Sequence, residues 1–261
     1  MKNRQNHLTK GCLPSIIKSK KIEYVRPKKI KSNVGNWKTP LPLEFYVDYE
    51  TVTDIVSDFT EMPYSEYENM IYLVGVGWES QHNNAVEKKG WNFRYFVVNR
   101  LNSAEERRIL TEWKIFMDNL ANVHYQTTDY KIFHYGHHER SSFDAALEKH
   151  HFNWDITEWF DVHKEIILKE PVVVFGALTF GLKEISNALY KNELIKTKWP
   201  NDSVCKDGLD ALILAKECHD DAIKKKVSMK VLPIMKDIIR YNEVDCKVLW
   251  EIITYLRNNH C

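Results

Sequence analysis

The run Met70–Trp78 (MIYLVGVGW) constrains this chain more than any other segment. It is too short for a helix that would bury it on all sides, and its β-branched, nearly unbroken apolar character predicts a strand with neither face in water. Such a strand needs a covering layer on each side, which points to a sheet sandwiched between helices. Leu43–Tyr49 (LEFYVDY) and Trp91–Val98 (WNFRYFVV) read as strands on either side of it in sequence. The first connection is a polar excursion containing Asp54, Asp58 and Glu61; the second, residues 81–90, has hairpin length. The three strands are therefore expected to form an antiparallel meander.

Beyond residue 100 the period changes. Asn102 is a good N-cap, Glu105 and Glu106 suit a first turn, and Ile109, Leu110, Trp113, Phe116, Met117 and Leu120 recur at helical spacing, predicting a helix over Ser103–Ala121. Tyr130–His134 reads as a short strand, His138–His150 as a helix and Trp154–Phe160 as another short strand. Helical segments follow at Val162–Leu168 and Leu182–Tyr190, then longer helices at Gly208–Lys225 and Pro233–Asn258. The expected fold is α/β, a sheet with helices on its faces and a helical C-terminal half, in one domain spanning residues 41–261 without internal repeats.

The net charge of +1 conceals a segregation of sign. Residues 1–40 carry eleven Lys or Arg against the single acid Glu23, or +10, so the remainder carries −9. This basic N-terminal arm, punctuated by Pro27 and Pro40, is expected to be largely irregular, with a short ordered piece at Ile22–Val25. It could follow phosphates, address the protein to a compartment or keep it in solution. No apolar run approaches the ~18 residues of a membrane span, and Leu13–Ile17 is too short for the core of a secretory signal. Five cysteines without a CxxC pair fit neither a disulfide framework nor a zinc ribbon, and a cytoplasmic or otherwise intracellular home is expected.

Acids stand at three places where a sheet or helix would ordinarily prefer something else. Asp48 and Glu50 are spaced by two near the end of the first strand, so both project from one face, toward either water or a cation. Glu139 follows His134-Tyr135-Gly136-His137-His138, where the fourth strand turns into a helix; Gly136 permits a tight turn, and a first-turn acid also suits the helix dipole. Tyr241 and Asp245 lie four apart on the last helix, bordering the stripe of Ile234, Ile238, Val248 and Ile252.

Taken in order, YVDYET, YLVGVGW, FHYGHHE, the FDVHKE segment, FGLKEISNALY and RYNEVDCKVLW resemble the DnaQ-like, or DEDD, 3′–5′ exonuclease superfamily, and within it the YprB-like ribonuclease-H-like branch. The resemblance covers roughly residues 43–257 and leaves out the arm. It implies a ribonuclease-H-like mixed sheet, an antiparallel three-strand meander followed by parallel strands. It also implies that Asp48, Glu50, Glu139 and Asp245 hold two Mg²⁺ or Mn²⁺ ions while Tyr241 orients or deprotonates the attacking water. Glu139 departs from the usual Asp of the middle motif, as YprB-like sequences tolerate, and Asp144 is the alternative ligand. Asp161 matches a recurrent acid of the family but also suits a helix cap. Lys183 could contact a phosphate, although an ordinary surface lysine on an amphipathic helix is the favoured reading. The implied activity is a metal-dependent nuclease acting on DNA or RNA, and the implied partners are nucleic acid and a larger DNA-processing assembly.

Such chemistry needs an activated water and charge stabilisation on the leaving oxygen, which two ions roughly 3.5–4 Å apart supply, and Mg²⁺ favours hard oxygen ligands. Three rivals compete. His134, His137 and His138 beside Glu139 suggest zinc, but no HExxH is present. Asp48 with Glu87-Lys88-Lys89 suggests a restriction-type core. A non-catalytic nucleic-acid-binding scaffold of the same fold is the alternative of a different class.

Overall fold

The computed structural model describes residues 23–53, 69–82, 87–154 and 159–261. In chain order the strands are β1 (Val25–Arg26), β2 (Leu43–Val52), β3 (Met70–Ser80), β4 (Gly90–Val97), β5 (Tyr130–His134), β6 (Trp159–Asp161) and β7 (Val173–Val174). The helices are α1 (Ser103–Asn119), α2 (His137–Lys149), α3 (Leu182–Lys191), α4 (Gly208–Lys225) and α5 (Pro233–His260). A five-stranded mixed sheet runs in the order β4-β3-β2-β5-β6, with β1 and β7 forming a separate two-stranded ribbon. β2, β3 and β4 are antiparallel, whereas β5 lies parallel to β2 and β6 parallel to β5.

β3 is covered on both faces, by α1 on one side and α5 on the other, as its apolar run requires. β2 is two-faced. Phe45, Val47 and Tyr49 pack toward α1 and α2, where Trp113, Phe143, Trp154 and Trp159 form an aromatic cluster dominated by edge-to-face contacts. Tyr46 packs on the opposite face with Phe133 and the α5 residues Val248 and Leu249. Because β2, β5 and β6 point the same way, Asp48 and Glu50, the β5–α2 turn and Asp161 arrive at one edge of the sheet. The carboxyl ends of strands are where open α/β sheets leave a crevice.

Several boundaries differ from expectation. α1 gives way at Leu120–Tyr125 to a π-helical stretch, and a second one occupies His163–Leu168. The short strand expected over Trp154–Phe160 occupies Trp159–Asp161; Trp154 is instead committed to the core, 4.5 Å from Trp113 between ring centres. β7 has no counterpart among the expected strands, since two residues carry no period. The polar excursion with Asp54, Asp58 and Glu61, the middle of the 81–90 loop, residues 155–158 and the arm up to residue 22 lie outside the described residues.

The second half of the arm is not the irregular tail expected from its charge. β1 pairs with β7, and the Ile30 amide donates to the His260 carbonyl oxygen at 2.8 Å. Ile30 and Trp37 are fully buried, and the carbonyl oxygen of Trp37 accepts from Arg257 Nε at 2.7 Å. Arg257 in turn makes a bidentate pair with Glu44, so this segment clasps the end of α5 to the start of β2. Burial of two large apolar side chains outweighs the solvation of the few charges around them. Trp37→Ala should therefore cost about 3–5 kcal/mol, read as a lowered denaturation midpoint; a loss below about 1 kcal/mol would mean the segment is not part of the folded unit.

Candidate metal centre

Asp48 and Glu50 project from the same face of β2, as spacing by two demands, and Asp245 reaches them from α5. One ligand oxygen from each of Asp48, Glu50 and Asp245 lies within 4.8 Å of the others, and this is the sole such acid, His or Cys group among the described residues. Glu139, in the first turn of α2, stands just outside the triad, buried and close enough for its charge to act on all three. Gly136, with φ at 107°, provides the left-handed turn that swings the chain from β5 into that helix. Tyr241, one turn before Asp245, lines the same cleft of about 540 Å³.

The other sequence candidates separate clearly. Asp144 points to solvent and pairs with Arg140 at 2.8 Å, so Glu139 is the acid brought to the site. Asp161 accepts from the amides of Gly136 (3.1 Å) and Lys164 (3.0 Å), the capping role. The three histidines do not converge. His134 is buried with Nδ1 2.8 Å from the Gly136 carbonyl oxygen, His138 lies 3.2 Å from Thr51 Oγ1, and His137 is exposed. Glu87 is occupied with Trp78 and Tyr125, both donating at 2.8 Å, which removes it from any pairing with Asp48.

Three further residues, none of them prominent in the sequence, shape the site: Asn242, Gly75 and Lys183. Asn242 is fully buried and its Nδ2 donates to Asp48 Oδ2 at 2.7 Å. The amide fits only because Gly75, the register partner of Asp48 on β3, has no side chain: a Cβ there would fall 1.7 Å from Asn242 Oδ1. An Asn interrupting the buried stripe Ile238-Asn242-Asp245-Leu249 was the available signal. Lys183 is not an ordinary surface lysine. Its ammonium donates to the Lys206 carbonyl oxygen and sits 4.4 Å from the centre of the Tyr241 ring, on the cleft wall.

The electrostatics follow from crowding like charges in a poorly solvated place. Burial raises Asp48 and Glu50 well above the usual carboxylate range, and the neighbouring acids push them further. Burial likewise raises Asp245 from 3.8 to about 7, against the opposing influence of Lys183, Trp199 and Tyr241. Glu139 Oε2 is buried without a hydrogen-bond partner, 3.6 Å from His134 Nδ1. A carboxylate oxygen left without a hydrogen-bond donor beside a converging triad is what a cation site requires. The candidate ligand atoms are all hard oxygens, a donor set that would suit Mg²⁺ or Mn²⁺. The nearby thiols of Cys205 and Cys246 are pushed up by burial and by the acids, hence kept neutral and unfit as thiolate ligands.

Comparison with protein families, with curated proteins and with solved structures gave no match, so the functional reading rests on the site itself. Among the described residues, no helix is long and apolar enough to cross a membrane.

Two consequences are measurable. Gly75→Ala should displace Asn242 and with it Asp48, costing about 1–3 kcal/mol of stability by overpacking and weakening Mn²⁺ binding in calorimetry; wild-type values for both would show that the close approach is unimportant. Because the folded Asp245 holds its proton up to about 7 whereas the unfolded one releases it near 3.8, the folded state binds more protons across that window. The metal-free protein should therefore lose stability as pH rises from about 4 through 7, with Asp48 and Glu50 acting in the same direction. Guanidinium midpoints at pH 5 and pH 8 in the presence of a chelator provide the check, and a rise toward pH 8 would contradict this charge distribution.

Proposed function

We propose that this protein is a divalent-metal-dependent nuclease, a 3′–5′ exonuclease of the DEDD type with a tyrosine, built on a ribonuclease-H-like sheet. The observation that carries this reading is the convergence of Asp48, Glu50 and Asp245 within 4.8 Å, beside a buried Glu139 oxygen that accepts no hydrogen bond and the ring of Tyr241. The strand order with β2 at the centre, an antiparallel meander on one side and parallel strands on the other, supports the ribonuclease-H-like assignment.

In this reading Asp48, Glu50, Glu139 and Asp245 hold two Mg²⁺ or Mn²⁺ ions, which when bound lower the pKa of a water and stabilise the leaving oxygen. The chain's own residues do the positioning. Asn242 fixes the rotamer of Asp48, so one carboxylate is oriented before any ion arrives. Tyr241 is buried in the cleft wall, and its hydroxyl proton is held far above the usual range by burial and by Asp245. At neutral pH it is thus a hydrogen-bond donor and acceptor that orients the attacking water, not a phenolate base. The arm's Lys and Arg supply attraction for a polyanion that the −9 body lacks.

With Mn²⁺, purified protein should shorten end-labelled single-stranded DNA or RNA from the 3′ end. Asp48→Ala and Asp245→Asn should each reduce the rate by at least about 10³-fold, the scale of a lost essential group, with the circular dichroism spectrum retained. Absence of Mn²⁺-dependent hydrolysis on every nucleic acid tried would eliminate the enzyme reading and leave a binding scaffold.

A further inference from the structure

Lys183 is the second residue of α3 and lines the cleft beside Glu184, whose carboxylate is turned to the Leu178 amide at 3.5 Å. The Lys183 ammonium is anchored by neutral groups, the Lys206 carbonyl oxygen and the face of Tyr241, with the Trp199 ring 5.5 Å away. It stands within ion-pair distance of no carboxylate among the described residues, yet it lines the same cleft as Asp48, Glu50 and Asp245, against the ring of Tyr241 one turn before Asp245. A lysine needing only solvation would turn its flexible stem outward; here a carbonyl and a π-face hold it beside the acids.

We propose that Lys183 is a resident cation of the acid cluster, one that screens the carboxylates when no divalent ion is bound and lowers their affinity for that ion. The inference rests on the metal reading above and extends it to how metal loading is controlled. A fixed positive charge near the cluster stabilises the empty site by offsetting the repulsion among those acids that are ionised, while protonation relieves the rest. The same charge repels an arriving Mg²⁺ or Mn²⁺. A phosphate drawn between Lys183 and the ion would relieve that repulsion, so metal binding and phosphate binding should assist each other, as reciprocal linkage demands. Lys183 is on this account a positioning and loading residue, acting through the charge it places beside the ligands.

The test is a Mn²⁺ titration by calorimetry of the full chain, comparing the parent protein with Lys183→Met and Lys183→Arg, together with thermal midpoints in chelator. Lys183→Met should bind Mn²⁺ about tenfold more tightly, the scale of one pK unit of charge interaction in a partly screened site. It should also melt lower than the parent in chelator, and the gap should close at saturating Mn²⁺. Lys183→Arg, which keeps the charge, should stay near the parent in both measurements. A merely structural lysine would give the opposite sign, since loosening the cleft wall weakens metal binding. Unchanged or weaker Mn²⁺ binding by a folded Lys183→Met variant overturns the inference while the metal reading stands. Absence of Mn²⁺ binding in both parent and variant overturns the metal reading and the inference with it.

Discussion

The contact between α5 and the sheet at Gly75 is the constraint on which the rest of the structure depends. There the helix approaches β3 closely enough for Asn242 to reach across to Asp48 on β2. Holding Asp48, Glu50 and Asp245 together is unfavourable by itself. Two like charges 4 Å apart repel by about 4 kcal/mol at the effective dielectric near a protein surface. The opposing contribution comes from the remainder of α5. Val248, Leu249, Ile252, Ile253 and Leu256 are buried in the core on that side of the sheet, each stabilising by roughly 1.5–3 kcal/mol. Apolar packing along the C-terminal half of the helix thus keeps its acidic half against the sheet, and partial protonation lowers the cost further.

β2 divides these tasks by alternation. Phe45, Val47 and Tyr49 belong to the aromatic core under α1 and α2, while Tyr46, Asp48 and Glu50 face α5. A slip of one residue in its pairing would exchange core and site, so the register that packs Phe45, Val47 and Tyr49 is also what presents the carboxylates. The other end of β2 is tied down by the Glu44–Arg257 pair and by the buried Trp37. Strand and helix are therefore fastened to each other at one end by an arm segment and at the other by an asparagine, with the acids held near the asparagine.

Much of this is legible in the residues alone. Met70–Trp78 announces a doubly covered strand because its residues leave no face for water, and spacing puts Asp48 with Glu50 and Tyr241 with Asp245. Other features have no local signature. The arm's basic character hides the burial of Ile30 and Trp37, because composition averages over residues that behave oppositely. Lys183 on an amphipathic helix reads as solvated, and only its carbonyl and ring contacts turn it inward. Glu139 and Asp144 are close to equivalent as residues of one short helix, five positions apart. Their side chains diverge, one buried toward the acids and one paired with Arg140 in solvent.

Periodicity and residue type by themselves determined the layered α/β class, the central meander, the long terminal helix and the acids that could act together. Those are short-range properties, set by where apolar side chains recur along a strand or helix. Which acids meet, what holds them and what opposes their charge were decided only in three dimensions. Asp48, Gly75, Lys183 and Asp245 come from four different elements, and their distances depend on how closely α5 and α3 pack against the sheet. Close approach is a property of two surfaces at once, and no window of one sequence contains both.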